Sequence, residues 1–286
     1  MKLLYGKPIA DKILNQLKND IAINEKKPGL AVILIGDDQA SHLYVSLKEK
    51  TAREIGINFS RFNFAKNVSE NEIADLIQKL NVDEKIHGII VQLPLPDGFD
   101  SEKIISKIDS KKDVDGFSQP EADQPLAGAK IQGGHPKLVP VFPHAIMLLA
   151  ESSGEILEKK KAIVIANSDE FGKVMVATLS QENISAEYFI SKDIASNLGK
   201  IKESDIVVSA VGLQGIVKGQ MLKNGAIVID GGIEKVEGKV KGDVNFASTE
   251  EKTGFLSPVP RGVGPLTIAC LLENVYLAFK AQQKEK

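Results

Sequence analysis

The sequence is poor in cysteine and histidine, and these shortages exclude several classes of protein. The single cysteine, Cys270, excludes an internal disulfide framework and fits a reducing compartment. It lies in an apolar run, so we expect a buried, unreactive thiol. With four histidines and no cluster of cysteine and histidine, the sequence predicts no zinc site. The cytoplasm is therefore the expected location.

Long hydrophobic runs and a large excess of one charge are also absent. No apolar run approaches the roughly 20 residues that span a bilayer, and residues 1–9 lack the apolar core of a signal peptide. The formal net charge of −2 gives no electrostatic attraction to nucleic acid or to an anionic membrane. We therefore expect neither nucleic acid nor a membrane as a partner.

Short apolar runs that alternate with longer amphipathic stretches predict an α/β fold. Several predicted strands are continuously apolar, as strands buried on both faces are, and they cover residues 30–35, 88–91, 161–166, 205–211 and 226–229. The predicted helices cover residues 8–21, 41–55, 69–80, 144–152, 171–181 and 266–280. This alternation implies parallel sheets built from right-handed crossovers.

The domain organisation follows from length and from one irregular segment. A chain of 286 residues suits two domains. Residues 119–143 are rich in Pro, Gly and Gln and show little periodicity, so they are predicted to be a long loop or linker. We expect residues 1–139 to form the first domain, completed by a C-terminal helix over residues 265–286. Residues 140–264 should form the second domain, with a cleft between the two.

The helix predicted at residues 41–55 carries a lysine on its apolar side. Ser41 can cap its start, and Gly56 suits a left-handed stop. At about 100° per residue, Lys48 falls in one arc with Tyr44 and mostly apolar residues. A desolvated lysine has a lowered pKa and can exchange protons near neutrality. The alternative is that Lys48 extends its ammonium group to water along its own alkyl chain.

Polar residues follow the strand predicted at residues 88–91. Gln92 stands at its carboxyl end, where ligands of parallel sheets bind, so it can hold a lysine or a substrate carbonyl, or simply face water. Asp113 and Asp115 precede Gly116, which suits a turn. The alternative is a carboxylate that grips a paired N–H and amine, such as the edge of a pterin.

A loop at residues 257–267 combines prolines, which stiffen it, with glycines, which let a ligand approach the backbone. It leads into the last predicted helix. Any tight connection can have this composition, so the loop alone does not indicate a binding site.

Four motifs in this order resemble the methylenetetrahydrofolate dehydrogenase/cyclohydrolase family. They are Tyr44-x-x-x-Lys48, Val91-Gln-Leu-Pro-Leu-Pro96, Asp113-Val-Asp-Gly-Phe117 and Pro258-Val-Pro-x-Gly-Val-Gly-Pro265. Smaller matches are Ala210-Val-Gly212, Val228-Ile-Asp230 and Gly242-Asp-Val244. The resemblance extends from the first residues to about residue 280.

The resemblance implies a bifunctional enzyme of one-carbon metabolism. Members oxidise 5,10-methylenetetrahydrofolate with NADP and hydrolyse 5,10-methenyltetrahydrofolate to 10-formyltetrahydrofolate. The implied fold is a folate-binding catalytic domain followed by a Rossmann-like dinucleotide-binding domain, and the implied assembly is a homodimer joined through the dinucleotide domain.

The resemblance also implies roles for individual residues. Lys48 would transfer protons, Gln92 would position Lys48, and Asp115 would bind the pterin edge. Tyr44 would stack on the aminobenzoyl ring of the folate. The folate would also meet the loop residues Pro258, Gly262, Gly264 and Pro265, and the implied cofactor residues are Asn167, Ser168, Gly172, Lys173, Val211, Gly212 and Ile233.

The predicted cofactor loop departs from the family pattern Gly-Arg-Ser-x-x-Val-Gly-x-Pro. Asn167 stands where the family has the arginine that helps hold the NADP 2′-phosphate. Asp169 and Glu170 add negative charge there, and Lys173 could partly compensate. Asn167 could instead bond a free ribose hydroxyl, as in an NAD site.

Two further departures affect the predicted activity. Phe142 replaces a family threonine, so its ring could block the nicotinamide pocket, and Arg261 replaces a family glycine. Three hypotheses follow: a bifunctional enzyme that uses NADP or either dinucleotide, an enzyme that retains the cyclohydrolase alone, and a non-catalytic folate-binding protein. The retention of Tyr44, Lys48, Gln92 and Asp115 argues against the third.

Overall fold

The computed structural model describes residues 1–116 and 138–284, and these residues form two compact units. The first, which we call the three-stranded unit, comprises residues 11–116, 138–141 and 268–284. The second, the six-stranded unit, comprises Met1–Ala10 and Phe142–Thr267. Most of the linker predicted at residues 119–143 lies outside the described residues. Its last three residues already belong to a helix.

Six of the described α-helices follow the predicted amphipathic stretches, with boundaries shifted by a few residues, and two short ones, Ser101–Ile105 and Leu198–Glu203, were not predicted. The described helices are α1 (Gly6–Ala22), α2 (Gln39–Glu54), α3 (Glu70–Val82), α4 (Ser101–Ile105), α5 (Val141–Glu151), α6 (Asp169–Gln181), α7 (Leu198–Glu203) and α8 (Val263–Lys284). The strands are β1 (Lys2–Leu3), β2 (Gly29–Ile35), β3 (Asn58–Phe64), β4 (Gly88–Val91), β5 (Lys161–Ala166), β6 (Ser185–Ile190), β7 (Ile206–Ala210), β8 (Ile227–Asp230), β9 (Glu234–Val236), β10 (Lys239–Lys241) and β11 (Phe255–Leu256).

The three-stranded unit is built on a parallel sheet in the order β3-β2-β4. Every residue of β2 and β4 is buried, as their continuously apolar sequences predict. The sheet packs against isoleucines of α3 and α4, among them Ile73, Ile77 and Ile104. Asp113 forms a parallel bridge with Ile89 of β4. The segment that leads to Asp115 therefore runs beside β4 in the same direction.

The six-stranded unit contains a parallel sheet in the order β1-β11-β8-β7-β5-β6. From β5 the chain first moves outward to β6 and then crosses back to β7 on the other side of β5. The strand order thus reverses between β5 and β7. Open α/β sheets bind ligands beyond the carboxyl ends of the strands at such a reversal. A Rossmann-like, two-domain α/β architecture was expected, and the structure has it.

The N-terminus departs from the expected first domain. Lys2 and Leu3 pair with Phe255 and Leu256 in parallel, so residues 1–10 belong to the six-stranded unit rather than to a domain that begins at residue 1. The physical reason is the edge of the six-stranded sheet, where β11 offers free backbone groups to a short extended segment. Conversely, residues 268–284 of α8 belong to the three-stranded unit.

The start of α2 also differs from the prediction. The N-cap is Asp38, whose carboxylate accepts the Ser41 backbone N–H at 2.7 Å, so Ser41 lies inside the first turn and is not the cap. The predicted left-handed stop is present, because Gly56 has a φ of 91°. Leu43, which lies off the apolar arc, is 61% exposed.

Among the described residues, α8 is long and apolar enough to cross a membrane, which departs from the expectation that no segment resembles a span. More than half of its apolar window, 56%, is buried inside the protein. Cys270, Leu272 and Phe279 of this helix are fully buried. This burial is typical of a core helix, and the expected buried thiol of Cys270 is found.

Candidate active site

Lys48 lies on the third turn of α2, with its terminal nitrogen bonded to the residue that follows β4. The side chain is partly buried, and Nζ donates to Oε1 of Gln92 at 2.9 Å. Gln92 immediately follows β4, and its backbone N–H bonds to Ile33 of β2 at 2.8 Å. Its amide nitrogen donates to the Leu93 carbonyl at 2.7 Å. Because that bond fixes which end of the amide is the acceptor, Gln92 presents its oxygen to Lys48.

Asp115 shares this edge of the sheet. It lies two residues beyond Asp113, which bridges Ile89 of β4, and Asp113 accepts the Gly116 N–H at 3.1 Å. Gly116 has a φ of 79°, and a Cβ there would lie 2.8 Å from Pro140 Cα. A glycine is required at this turn on both counts. The turn predicted around Asp115 thus exists, and it brings the carboxylate into the electrostatic field of Lys48.

The pKa values of Lys48 and Asp115 are shifted in opposite directions. Burial lowers the pKa of Lys48, and the negative charge of Asp115 partly restores it. Burial raises the pKa of Asp115 to about 6, against the attraction of Lys48 and with a further increase from Asp113. The two pKa values are therefore shifted toward each other. Opposite shifts of this kind are common at sites where side chains exchange protons with a ligand.

Tyr44 lies one turn before Lys48 on α2 and is partly buried. Burial raises the pKa of its phenol, so the ring remains neutral. The ring can offer an aromatic face beside the lysine. The structure thus groups Tyr44, Lys48, Gln92 and Asp115 in one unit.

Asn274 of α8 supports Asp115, and sequence reasoning missed it. Its amide is 2% exposed and donates to the carbonyls of Val114 at 2.9 Å and Val139 at 2.8 Å. These bonds tie α8 to the residue that precedes Asp115. The sequence did contain a signal for this residue. An asparagine on the apolar side of a helix is expected to be buried, and a buried amide needs hydrogen-bond partners.

The proline- and glycine-rich loop belongs to the six-stranded unit. Pro258 and Gly262 precede α8, while Gly264 and Pro265 lie in its first turn. A Cβ at Gly262 would lie 2.6 Å from the Pro258 carbonyl oxygen, so the loop folds tightly on itself. Arg261 is exposed, with a φ of 91°.

The predicted cofactor residues flank the reversal of strand order. Asn167 and Ser168 follow β5, and Val211 and Gly212 follow the adjacent β7. Ile233 follows β8 and is 47% exposed, and its carbonyl oxygen lies 3.4 Å from where a Cβ of Gly212 would be. The geometry thus suits a dinucleotide: three strand ends and their loops converge where α/β sheets bind this class of ligand.

The first turn of α6 carries its own negative charges. Ser168 caps the helix by accepting the Phe171 N–H at 3.3 Å. Hydrogen bonds from its own backbone N–H and from Ser168 lower the pKa of Glu170. The helix N-terminus, where a phosphate would otherwise be favoured, is therefore supplied with a carboxylate. Lys173 is exposed one turn later.

Gly172 is needed for packing. A Cβ at this position would lie 2.2 Å from the ring of Tyr188 on β6. Such an approach brings helix and strand close together, one of the uses of glycine in dinucleotide-binding folds. Gly172 is buried.

Two further residues follow β6 and were missed by sequence reasoning. Ser191 and Lys192 come directly after Ile190, which pairs with Ala166 at the end of β5. In dinucleotide folds the end of this second strand meets the adenosine ribose. A hydroxyl and an exposed ammonium there match a 2′-phosphate. Sequence reasoning missed both residues because it did not predict β6, the strand that they follow.

Phe142 packs within the six-stranded unit. Its ring lies 5.3 Å from that of Phe171, centroid to centroid. Phe142 Cζ would also be 2.8 Å from a Cβ at Gly231, which directly follows β8. The ring therefore occupies space at the carboxyl end of β8.

Comparison with known proteins agrees with this geometry. The family described as tetrahydrofolate dehydrogenase/cyclohydrolase, catalytic domain, matches residues 4–115, and the family described as its NAD(P)-binding domain matches residues 140–283. The bifunctional protein FolD of Campylobacter hominis is 42% identical over 289 residues, 99% of each chain.

Solved structures give the same result. The bifunctional methylenetetrahydrofolate dehydrogenase/cyclohydrolase of Campylobacter jejuni is 34% identical, covers 100% of both chains and superposes with a TM-score of 0.88. The corresponding enzyme of Trypanosoma brucei, solved with NADP cofactor and an inhibitor, is 31% identical over 97% of each chain, with a TM-score of 0.87. The chain described here therefore belongs to the tetrahydrofolate dehydrogenase/cyclohydrolase family.

Proposed function

We propose that this chain oxidises 5,10-methylenetetrahydrofolate with NADP and hydrolyses the resulting 5,10-methenyltetrahydrofolate to 10-formyltetrahydrofolate. The observation that carries the proposal is the 2.9 Å bond between Lys48 Nζ and Gln92 Oε1, next to a carboxyl group whose pKa is about 6. In this proposal the three-stranded unit holds the folate and the six-stranded unit holds the dinucleotide.

Lys48 is the proton-transfer residue in this proposal. Its lowered pKa increases the fraction of neutral amine near pH 7, and a neutral amine has a lone pair that can take a proton from water as the water attacks the methenyl carbon. The bond to Gln92 fixes one N–H of the amine and so restricts the direction of the lone pair. NADP, when bound, supplies the acceptor for the hydride of the first reaction.

Asp115 is the folate-binding carboxylate. The pterin edge offers a paired N–H and amine, which a carboxylate can accept in a bidentate arrangement. Tyr44 supplies a neutral ring for the aminobenzoyl group, and the loop from Pro258 to Pro265 is proposed as a further folate contact.

The choice of dinucleotide is a separate part of the proposal. Ser191 and Lys192 favour the 2′-phosphate of NADP, whereas Asp169 and Glu170 at the start of α6 repel it. NAD is therefore the second candidate cofactor, with Asn167 as partner of the ribose hydroxyl. Initial rates with both dinucleotides, measured by absorbance of the reduced form, decide between them.

The test of the mechanism compares two lysines of α2. Lys48→Met should lower the rate of methenyltetrahydrofolate hydrolysis by about 100-fold or more, in the range for loss of a general base. Lys50→Met is the matched control, because the Lys50 side chain is 73% exposed, and it should leave hydrolysis unchanged. Full hydrolysis by the Lys48→Met variant would contradict the proposed role. Folate binding with neither reaction in the wild type would favour a non-catalytic binding protein.

We further propose a cytoplasmic homodimer joined through the six-stranded unit. Cys270 is a buried thiol, which fits a reducing compartment. Strand β6 is at the edge of the sheet, and such an edge is a common site of pairing between chains. Light scattering at several protein concentrations measures the assembly.

A further inference from the structure

A carboxylate inside the six-stranded unit fills a ring of hydrogen-bond donors next to the proposed cofactor residues. The fully buried Asp243 accepts the backbone N–H groups of Val211 at 2.7 Å, Gly212 at 2.8 Å and Leu213 at 2.9 Å. It also accepts the hydroxyl of Ser209 at 2.7 Å. Each carboxylate oxygen therefore receives two donors.

Three successive N–H groups that converge on one anion form a nest, a concavity that commonly binds phosphate. Here the nest follows β7, and its anion is part of the chain. Gly212 has a φ of 82°, a left-handed conformation that favours glycine, and it allows successive N–H groups to point to one side. The shape of residues 211–213 is thus fixed by Asp243.

Asp243 is itself held in place from two sides. Asp230, at the end of β8, accepts the backbone N–H groups of Asp243 at 3.0 Å and Val244 at 2.9 Å. The carbonyl of Asp243 accepts the Val217 N–H at 2.9 Å, beside the bridge between Val217 and Val244. Two carboxylates in series thereby connect the end of β8 to the loop after β7.

Two glycines make room for these carboxylates. A Cβ at Gly232 would lie 2.0 Å from the carboxyl carbon of Asp243, and a Cβ at Gly242 would lie 2.1 Å from an oxygen of Asp230. Both distances are far below van der Waals contact. An alanine at either position would displace the carboxylate that it meets.

We propose that Asp243 is a positioning residue for dinucleotide binding, which acts by holding Val211 and Gly212 in the shape that the cofactor meets. The inference rests on the proposed function, in which the six-stranded unit holds the dinucleotide, and on the prediction that these two residues belong to the cofactor site. Because the three-stranded unit contains Lys48, Gln92 and Asp115, loss of Asp243 should weaken dinucleotide binding and leave hydrolysis of methenyltetrahydrofolate intact.

The test is the Asp243→Asn variant. Its amide would place an NH2 group against two of the four donors, so the loop must move. We expect the KM and the Kd for the dinucleotide to rise roughly tenfold or more, the equivalent of one or two lost charge-assisted bonds. The kcat of oxidation at saturating dinucleotide and the rate of hydrolysis should change by less than about threefold. The Gly232→Ala variant should show the same pattern through displacement of the carboxylate.

Asp205→Asn separates positioning from general stability. Asp205 lies in the same unit and accepts the Lys161 N–H at 3.0 Å, away from residues 211–213. Its substitution should lower the midpoint of thermal unfolding without a change in dinucleotide KM. An unchanged KM in Asp243→Asn, or equal losses of oxidation and hydrolysis, would overturn the positioning role. Failure of the proposed function is a different result, because the wild type would then reduce neither dinucleotide.

Discussion

Replacing Asp115 by asparagine should make the protein more stable and less active. Burial raises the pKa of Asp115 from 3.8 to about 6, which means that the folded chain disfavours the ionised carboxylate. A difference of about two pKa units between the folded and unfolded chains corresponds to about 3 kcal/mol. Asparagine has a similar shape and carries no charge to bury, so about 3 kcal/mol is the upper bound of the gain.

The gain in the free energy of unfolding must increase with pH. The folded-state pKa of Asp115 lies above the unfolded value. Its unfavourable effect is therefore absent below about pH 4, increases between pH 4 and 6, and is complete above pH 6. The free energy of unfolding of Asp115→Asn should match that of the wild type at pH 4 and exceed it at pH 8. Titrating groups that do not interact with Asp115 are common to both proteins and cancel in the difference, whereas the pKa of Lys48 falls further once the negative charge of Asp115 is removed.

Urea unfolding followed by circular dichroism measures this difference, since the chain has no tryptophan to report by fluorescence. Asp97→Asn, at an exposed position of the same unit, is the control and should not reproduce the gain in stability at pH 8. Equal stability of Asp115→Asn and wild type at pH 8 would refute the reasoning. A difference of the same size at both pH values would also refute it, because shape rather than charge would then be the cause. In Asp115→Asn, kcat/KM for the folate substrate should also fall by about 100-fold, because a charge-assisted pair of hydrogen bonds is lost.

Three other variants test further contacts. Lys192→Ala should raise the KM for NADP more than that for NAD, as measured by initial rates, if Ser191 and Lys192 meet the 2′-phosphate. Asn274→Leu should destabilise the protein by about 2–4 kcal/mol in urea unfolding, because two buried carbonyls lose their donor. Phe142→Thr should lower stability by about 1–2 kcal/mol through loss of the contact with Phe171, and should leave methenyltetrahydrofolate hydrolysis unchanged.

The elements that sequence predicted well are those whose own residues determine their burial. Strands β2 and β4 are continuously apolar, β5 and β7 have one polar residue each, and the corresponding strands were predicted within a few residues. Strands β3 and β6 were not predicted, because both lie at sheet edges and carry polar residues among the apolar ones. Because β6 was not predicted, Ser191 and Lys192 were not recognised as residues at the end of a strand.

Contacts between distant parts of the chain limited the prediction of the site. The helical pattern placed Lys48 beside apolar residues, but its partner Gln92 is 44 positions away. Asn274 bonds to carbonyls 160 and 135 positions away, and Asp243 bonds to a loop 30 to 32 positions before it. The strand-end position of Gln92 allowed it to hold a lysine, but only the resemblance to a family connected Lys48, Gln92 and Asp115 as one site, and no such motif named Asn274.

Asp243 and Asp115 differ in which interactions stabilise the carboxylate, and that difference indicates their roles. Asp243 receives four donors from the chain itself, so a ligand has little to add. For Asp115 burial is the dominant influence, and the folded chain holds the group with a pKa of about 6. A pterin that offers paired N–H groups should stabilise the ionised form and lower this pKa. Folate binding at pH 6 should therefore release up to about half a proton, and almost none at pH 8. Calorimetry in buffers of different ionisation enthalpy measures the proton count, and proton uptake at pH 6 would contradict the assignment of Asp115 to the pterin.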